Sequence, residues 1–134
     1  MGNLILIIDD SITVCKIIET CLHREGYEVC GFSDGEAAMR WLASREACIP
    51  DLVFVDLGLP QMDGYSVIRL LRAQPSFRQI PIVIISRRDG LIDKLKGRLV
   101  GASDYVVKPF KVDHLISIVQ SHLGVSAKAG LVPV

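Results

Sequence analysis

The sequence predicts an α/β fold, a parallel sheet of five strands covered by helices on both faces, and three observations carry that prediction. Short apolar runs of strand length alternate with stretches whose apolar residues recur at helical spacing, which is the pattern of repeated strand–helix units. The runs are continuous rather than alternating in polarity, as strands buried on both faces are. Four of the five stop at a polar or charged residue: Asp9-Asp10, Asp56, Ser86 and Lys108.

In chain order, Leu4 to Ile8 is the first strand and ends at Asp9-Asp10. Val14, Ile17, Ile18, Cys21 and Leu22 then form the apolar stripe of a helix, which Gly26 closes. Tyr27 to Phe32 reads as the second strand, and Asp34-Gly35 turns into a helix carrying Ala38, Trp41 and Leu42, with Trp41 in the core. The third strand, Leu52 to Val55, stops at Asp56 and is followed by a loop containing Pro60 and Asp63-Gly64. Val67, Ile68, Leu70 and Leu71 mark the next helix, which Pro75 brings to an end. Pro81 opens the fourth strand, where a missing N–H is tolerated, and Ile82 to Ile85 run to Ser86. Asp89 to Leu99 is polar and basic with few large apolar groups, and its helix is the one the pattern determines least. Tyr105 to Val107 makes a short fifth strand ending at Lys108-Pro109, and Val112, Leu115, Ile116, Val119 and Leu123 the last helix, stopped by Gly124. Residues 125–134 have no periodicity and read as a loose tail, which places the domain at residues 1–124.

At 134 residues the chain makes one domain. Fifteen basic and fifteen acidic residues cancel, so no global field draws it to nucleic acid or to an anionic membrane. The first apolar run is too short for a signal peptide or a membrane span, and the expected location is the cytoplasm. Cys15, Cys21, Cys30 and Cys48 lack C-x-x-C spacing and are expected to be buried thiols. His23, His114 and His122 are scattered and receive no site.

All strands of a parallel sheet point their carboxyl ends one way, so Asp9, Asp10, Asp56, Ser86 and Lys108 converge on one edge, where open α/β sheets bind ligands. Carboxylates about 4 Å apart repel by about 4 kcal/mol at an effective dielectric near 20, so the cluster needs a cation. Hard oxygen ligands suit Mg²⁺, which also takes a phosphate oxygen. Asp56 is the candidate nucleophile for an aspartyl phosphate, with Lys108 supplying a point charge and Ser86 a hydroxyl donor.

These residues, together with Pro60, Met62-Asp63-Gly64, Tyr105 and Lys108-Pro109, resemble the receiver domain of two-component response regulators, the CheY-like family. The resemblance implies a flavodoxin-like (βα)5 fold with strand order 2-1-3-4-5. It implies that Asp56 accepts a phosphoryl group from a histidine kinase or phosphotransfer protein, with Mg²⁺ held by Asp9, Asp10, Asp56 and the Gly58 backbone carbonyl. Ser86 and Lys108 would contact the phosphoryl oxygens, Ser86 and Tyr105 would form the switch, and the Lys108–Pro109 bond would be cis. Such a protein is a phosphoacceptor rather than an enzyme, and its output is a protein target. The segment Arg87 to Lys94 with Gly97-Arg98 resembles single-domain receivers of twitching-motility and related chemosensory systems. One residue departs from the family: Arg87 follows the switch hydroxyl, where a small residue is usual, and it is expected at the rim of the phosphoryl site opposite Gly58. The alternative from within the family is a degenerate receiver that only binds partners. A haloacid-dehalogenase-like phosphatase would want a second Asp where Gly58 stands, and an FMN carrier would find Asp9-Asp10 repelling its phosphate.

Overall fold

The three central apolar runs fold as strands because their residues, flanked on both faces by helices, have no solvent-facing side to leave polar, while the two edge runs are only partly buried. The computed structural model describes residues 3–44 and 48–124; the expected tail, 125–134, lies outside them. The strands are β1 (Leu4–Ile8), β2 (Glu28–Phe32), β3 (Leu52–Asp56), β4 (Ile82–Ser86) and β5 (Asp104–Val107). The helices are α1 (Ile12–Arg24), α2 (Gly35–Ala43), α3 (Gly64–Arg72), α4 (Leu91–Val100) and α5 (Val112–Leu123). All neighbouring strands pair in parallel, in the order β2-β1-β3-β4-β5.

Successive residues of each strand point to opposite faces, and the two faces build two cores. Leu6, Ile8, Val53, Val55, Ile82 and Ile84 pack with Ala38 of α2 and Val67, Ile68 and Leu71 of α3. Ile5, Ile7, Phe54 and Val83 pack on the other side with Ile18 and Leu22 of α1 and Leu115 and Val119 of α5. Each fully buried aliphatic side chain contributes about 1.5–3 kcal/mol.

The helices begin where short polar side chains can accept the first free N–H groups. Ser11 caps α1, Asp34 caps α2 and Asp63 caps α3, each through its side-chain oxygen. Gly26, with φ of 93°, turns the chain out of α1, and Gly101, with φ of 114°, ends α4. A short 3₁₀ turn over Pro75–Phe77 follows α3, and it buries Phe77.

Three expectations are corrected by the tertiary arrangement, and the packing of α4, which the pattern left undetermined, is decided by it. Ile17 and Leu70 lie on the outer flanks of their helices and are exposed. Cys48 is exposed and the other three cysteines are half-buried, so they are not a set of buried thiols. Trp41 is only partly buried, tilted against Phe32 at the edge of one core. In α4 the leucines are not the packing face: Leu91, Ile92, Leu95 and Leu99 are exposed, and Gly97 is the buried residue. A Cβ on Gly97 would stand 2.6 Å from Ile84 Cδ1, so the helix docks through its missing side chain.

Candidate functional site

The parallel register brings the strand ends level. Ile8 pairs with Val55, Asp56 with Ile85 and Ser86 with Val107, so the residues that end or follow β1, β3, β4 and β5 share one edge. The strand order reverses between β1 and β3, and the crevice opens there. Asp9, at 2% exposure, Asp56, at 8%, and Ser86, at 2%, are the only buried polar or charged side chains among the described residues. All three belong to this edge, which separates it from ordinary strand ends.

Asp9, Asp10 and Asp56 each offer an oxygen within 4.8 Å of the others. Lys108 Nζ lies 2.7 Å from Asp9 Oδ2 and 3.4 Å from Asp56 Oδ2, so one ammonium serves two buried carboxylates. Backbone amides hold the other oxygens: Ser11 N–H donates to Asp9 Oδ1 at 2.9 Å and Gly58 N–H to Asp56 Oδ1 at 3.2 Å. Asp9 Oδ2 is buried and, despite the nearby ammonium, receives no hydrogen bond of good geometry. Burial pushes the Asp9 carboxyl above its ordinary range; Lys108 and the Ser11 amide oppose the rise, and the charge of Asp56 adds to it. Asp10 stays exposed at the rim. An all-oxygen donor set in which three carboxylates face one ammonium, leaving an excess of negative charge, fits a hard divalent cation such as Mg²⁺.

The cavity over these groups, about 310 Å³, is lined by Asp10, Asp56, Gly58, Ser86, Arg87 and Lys108, joined by Ser11 and Arg88. At Gly58 a Cβ would have only Asp56 Oδ1 near it, at 3.9 Å, so the mouth is open on that side. The loop after β4 is pinned at both ends. Lys108 N–H donates to the Ser86 carbonyl, Arg88 N–H to Ser86 Oγ at 3.0 Å, and Tyr105 Oη–H to the Arg88 carbonyl. Burial raises the Tyr105 hydroxyl's pKa, and the neighbouring Ser86 hydroxyl opposes the rise; the backbone of Arg88, which donates to Ser86 and accepts from Tyr105, links the two side chains. The Lys108–Pro109 peptide is cis, as expected.

Of the residues singled out from the sequence, Asp10, Asp56, Gly58, Ser86, Arg87 and Lys108 line this cavity, Asp9 joins it through the Lys108 ammonium, and Tyr105 lies outside its lining, tied to it through the Arg88 carbonyl. Ser11 and Arg88 were not singled out. Ser11 carried a signal, since a serine just before a helical apolar stripe is an N-cap; Arg88 carried none, because its part is played by its backbone. His122 meets Asp104 Oδ2 at 3.3 Å on the far side of β5 and takes no part here.

Residues 5–120 match the family model described as the response regulator receiver domain. The chain is 35% identical over 122 residues to protein PilG of Pseudomonas aeruginosa, covering 91% of this chain and 88% of that one. It superposes on the Vibrio cholerae chemotaxis protein CheY4 with a TM-score of 0.82 at 28% identity, covering 92% of this chain and all of the other. The receiver domain of a sensor histidine kinase from P. aeruginosa, solved with a magnesium ion coordinated in the active site cleft, matches with a TM-score of 0.80 at 34% identity, covering 92% and 99%.

Proposed function

The chain belongs to the response regulator receiver family, and on that premise we propose that Asp56 accepts a phosphoryl group from a histidine kinase or phosphotransfer protein and that the phosphorylated form signals through protein contacts. The observation that carries this reading is the gathering of Asp9, Asp56 and Ser86, the buried polar side chains of the described residues, at one sheet edge, with both carboxylates on the ammonium of Lys108. Burying two carboxylates at one edge is costly, and a fold keeps such a cost where charge is used.

In the transfer, an Asp56 carboxylate oxygen forms a bond to phosphorus while the bond to the donor's imidazole nitrogen breaks, and that nitrogen takes up a proton. Asp9, Asp10 and Asp56 would hold a divalent ion, joined, as the family resemblance implies, by the carbonyl of Gly58, and Mg²⁺ bound there would neutralise charge developing on the phosphoryl oxygens. Lys108, already 3.4 Å from Asp56 Oδ2, moves its hydrogen bond to a phosphoryl oxygen. Ser86 accepts from the Arg88 amide and so presents its own hydrogen to the phosphoryl group. Turning that hydroxyl toward phosphorus disturbs its bond to the Arg88 amide, and because the Tyr105 hydroxyl holds the Arg88 carbonyl, the β4–α4 loop and Tyr105 rearrange together. Because the phosphoryl group stays on the protein, the chain is an acceptor rather than an enzyme. We expect the chain itself to act in the cytoplasm; no helix among the described residues is long and apolar enough to cross a membrane.

The test is incubation with a small phosphodonor and Mg²⁺, read by intact mass. The wild type gains one phosphoryl group, Asp56→Asn gains none, and chelator abolishes the gain. Label that persists in Asp56→Asn or in chelator would refute the assignment.

A further inference from the structure

Arg87 and Arg88 follow the same buried hydroxyl, yet their guanidinium groups are in different situations. Arg88 pairs with Asp93 of α4 at 3.9 Å. Arg87 is exposed, and no hydrogen bond or ion pair of its side chain occurs among the described residues. Its backbone is not free to drift. The carbonyl and hydroxyl of Ser86 before it and the amide and carbonyl of Arg88 after it are all hydrogen-bonded, which fixes where its side chain starts. That side chain lines the acidic cavity and also an apolar groove of about 520 Å³ formed by Val14, Ile17, Pro109, Phe110 and Val112. It therefore lies across the boundary of the two, beside the mouth that Gly58 leaves open.

The charge of the phosphorylated state supplies the ligand. Asp9 and Asp10, a phosphoryl group near its dianionic form, the Lys108 ammonium and one divalent ion would leave about one negative charge unbalanced at the site. Resting on the phosphoacceptor reading above, we propose that the Arg87 guanidinium closes over the phosphoryl group on Asp56, binds its outward oxygens and shields it from water. Planar paired donors on a flexible stem match two phosphoryl oxygens, and the apolar groove receives the methylene stem when the head moves in.

Hydrolysis forms a bond from a water oxygen to phosphorus and breaks the bond from phosphorus to the Asp56 oxygen. It leaves the carboxylate and inorganic phosphate, with both water protons passing to the phosphate and solvent. The attacking water must arrive opposite the Asp56 oxygen, through the mouth that Arg87 lines. A guanidinium held there occupies that approach, and the phosphorylated state lasts longer than the rest of the site would allow.

The experiment compares wild type, Arg87→Ala and Arg87→Lys. Each is phosphorylated with a small phosphodonor and Mg²⁺, the donor is removed, and loss of the phosphoryl mass is followed; affinity for the phosphoryl analogue beryllium trifluoride is titrated in parallel. Arg87→Ala should lose phosphoryl about ten times faster, equivalent to about 1.4 kcal/mol of barrier, and bind the analogue several-fold more weakly. Arg87→Lys should fall between, since it keeps the charge and loses the paired donors. The exposed, unpaired side chain makes unfolding of the variants no concern, and equal melting temperatures check this. If Arg87→Ala is labelled but loses phosphoryl at the wild-type rate or slower, the shielding role is overturned while the acceptor reading stands. If the wild type takes no label, both fall together.

Discussion

Neutralising one buried carboxylate should stabilise the metal-free protein and remove its response to magnesium. The perturbation is Asp9→Asn, which keeps an oxygen to accept the Ser11 N–H and deletes a charge. Carboxylate oxygens of Asp9 and Asp56 lie within 4.8 Å, so their repulsion is at least about 3.5 kcal/mol at an effective dielectric near 20. Lys108 returns part of this at 2.7 and 3.4 Å, but burial and the neighbouring charge still leave the Asp9 carboxyl raised. A raised carboxyl means that the folded state holds the proton more tightly than the unfolded state. That contribution to stability is fully present below the ordinary 3.8 and is lost as pH rises through the raised value, so at neutral pH the ionised Asp9 works against folding. The variant should therefore melt about 4 °C above the wild type in chelator at neutral pH, for about 1 kcal/mol, and the gap should close on acidification. With Mg²⁺ at ten times its dissociation constant the wild type should gain about 1.4 kcal/mol, or about 5 °C, and the variant far less. The assay is thermal unfolding by circular dichroism across pH with chelator or Mg²⁺. A variant that melts at or below the wild type in chelator and still gains fully from Mg²⁺ would refute both the electrostatic argument and the assignment of Asp9 as a ligand.

Gly64→Ala should cost about 3 kcal/mol or more, because the added Cβ falls 2.7 Å from Leu57 Cα and closer still to the Asp56 carbonyl, both of them backbone; urea unfolding measures it, and a loss below 1 kcal/mol would show that the β3–α3 turn yields. Arg72 donates to the carbonyls of Phe77, Ile80 and Gly101, tying the end of α3 to the turns that lead into β4 and β5, so Arg72→Ala should lose about 2–4 kcal/mol. Arg72→Lys should recover little of that, since one ammonium cannot span the three; full recovery would mean that charge alone matters. Burial and the nearby Asp9 charge push the Cys15 thiol up to about 11, whereas Cys48 is exposed, so alkylation at pH 8 followed by peptide mass mapping should modify Cys48 well before Cys15. Equal rates would place Cys15 in a more open setting than the structure gives it.

The sequence by itself determined the elements and the chemistry at their ends. Continuous apolar runs specify buried strands, and stripes at helical spacing specify the helix faces, because both patterns are local and survive without knowledge of the partner. Asp9, Asp10, Asp56, Ser86 and Lys108 were legible as a site because a parallel sheet sends every strand's carboxyl end to one edge, whatever the lateral order. The order 2-1-3-4-5 was not in the periodicity and came from family resemblance, since neighbours in a sheet are chosen by long-range packing. Tertiary structure alone decided that Lys108 sits closer to Asp9 than to Asp56, and that Asp10, unlike Asp9, stays in solvent. It also decided how α4 docks: a glycine carries no hydrophobic signal, yet Gly97 lets the helix approach Ile84 and turns four large apolar residues outward. The two arginines after Ser86 are equivalent as letters and both line the cavity; they differ because α4 places Asp93 beside Arg88, while Arg87 also borders the apolar groove. Periodicity reports which side of an element is apolar; which atoms finally meet is set by the approach of elements far apart in the chain.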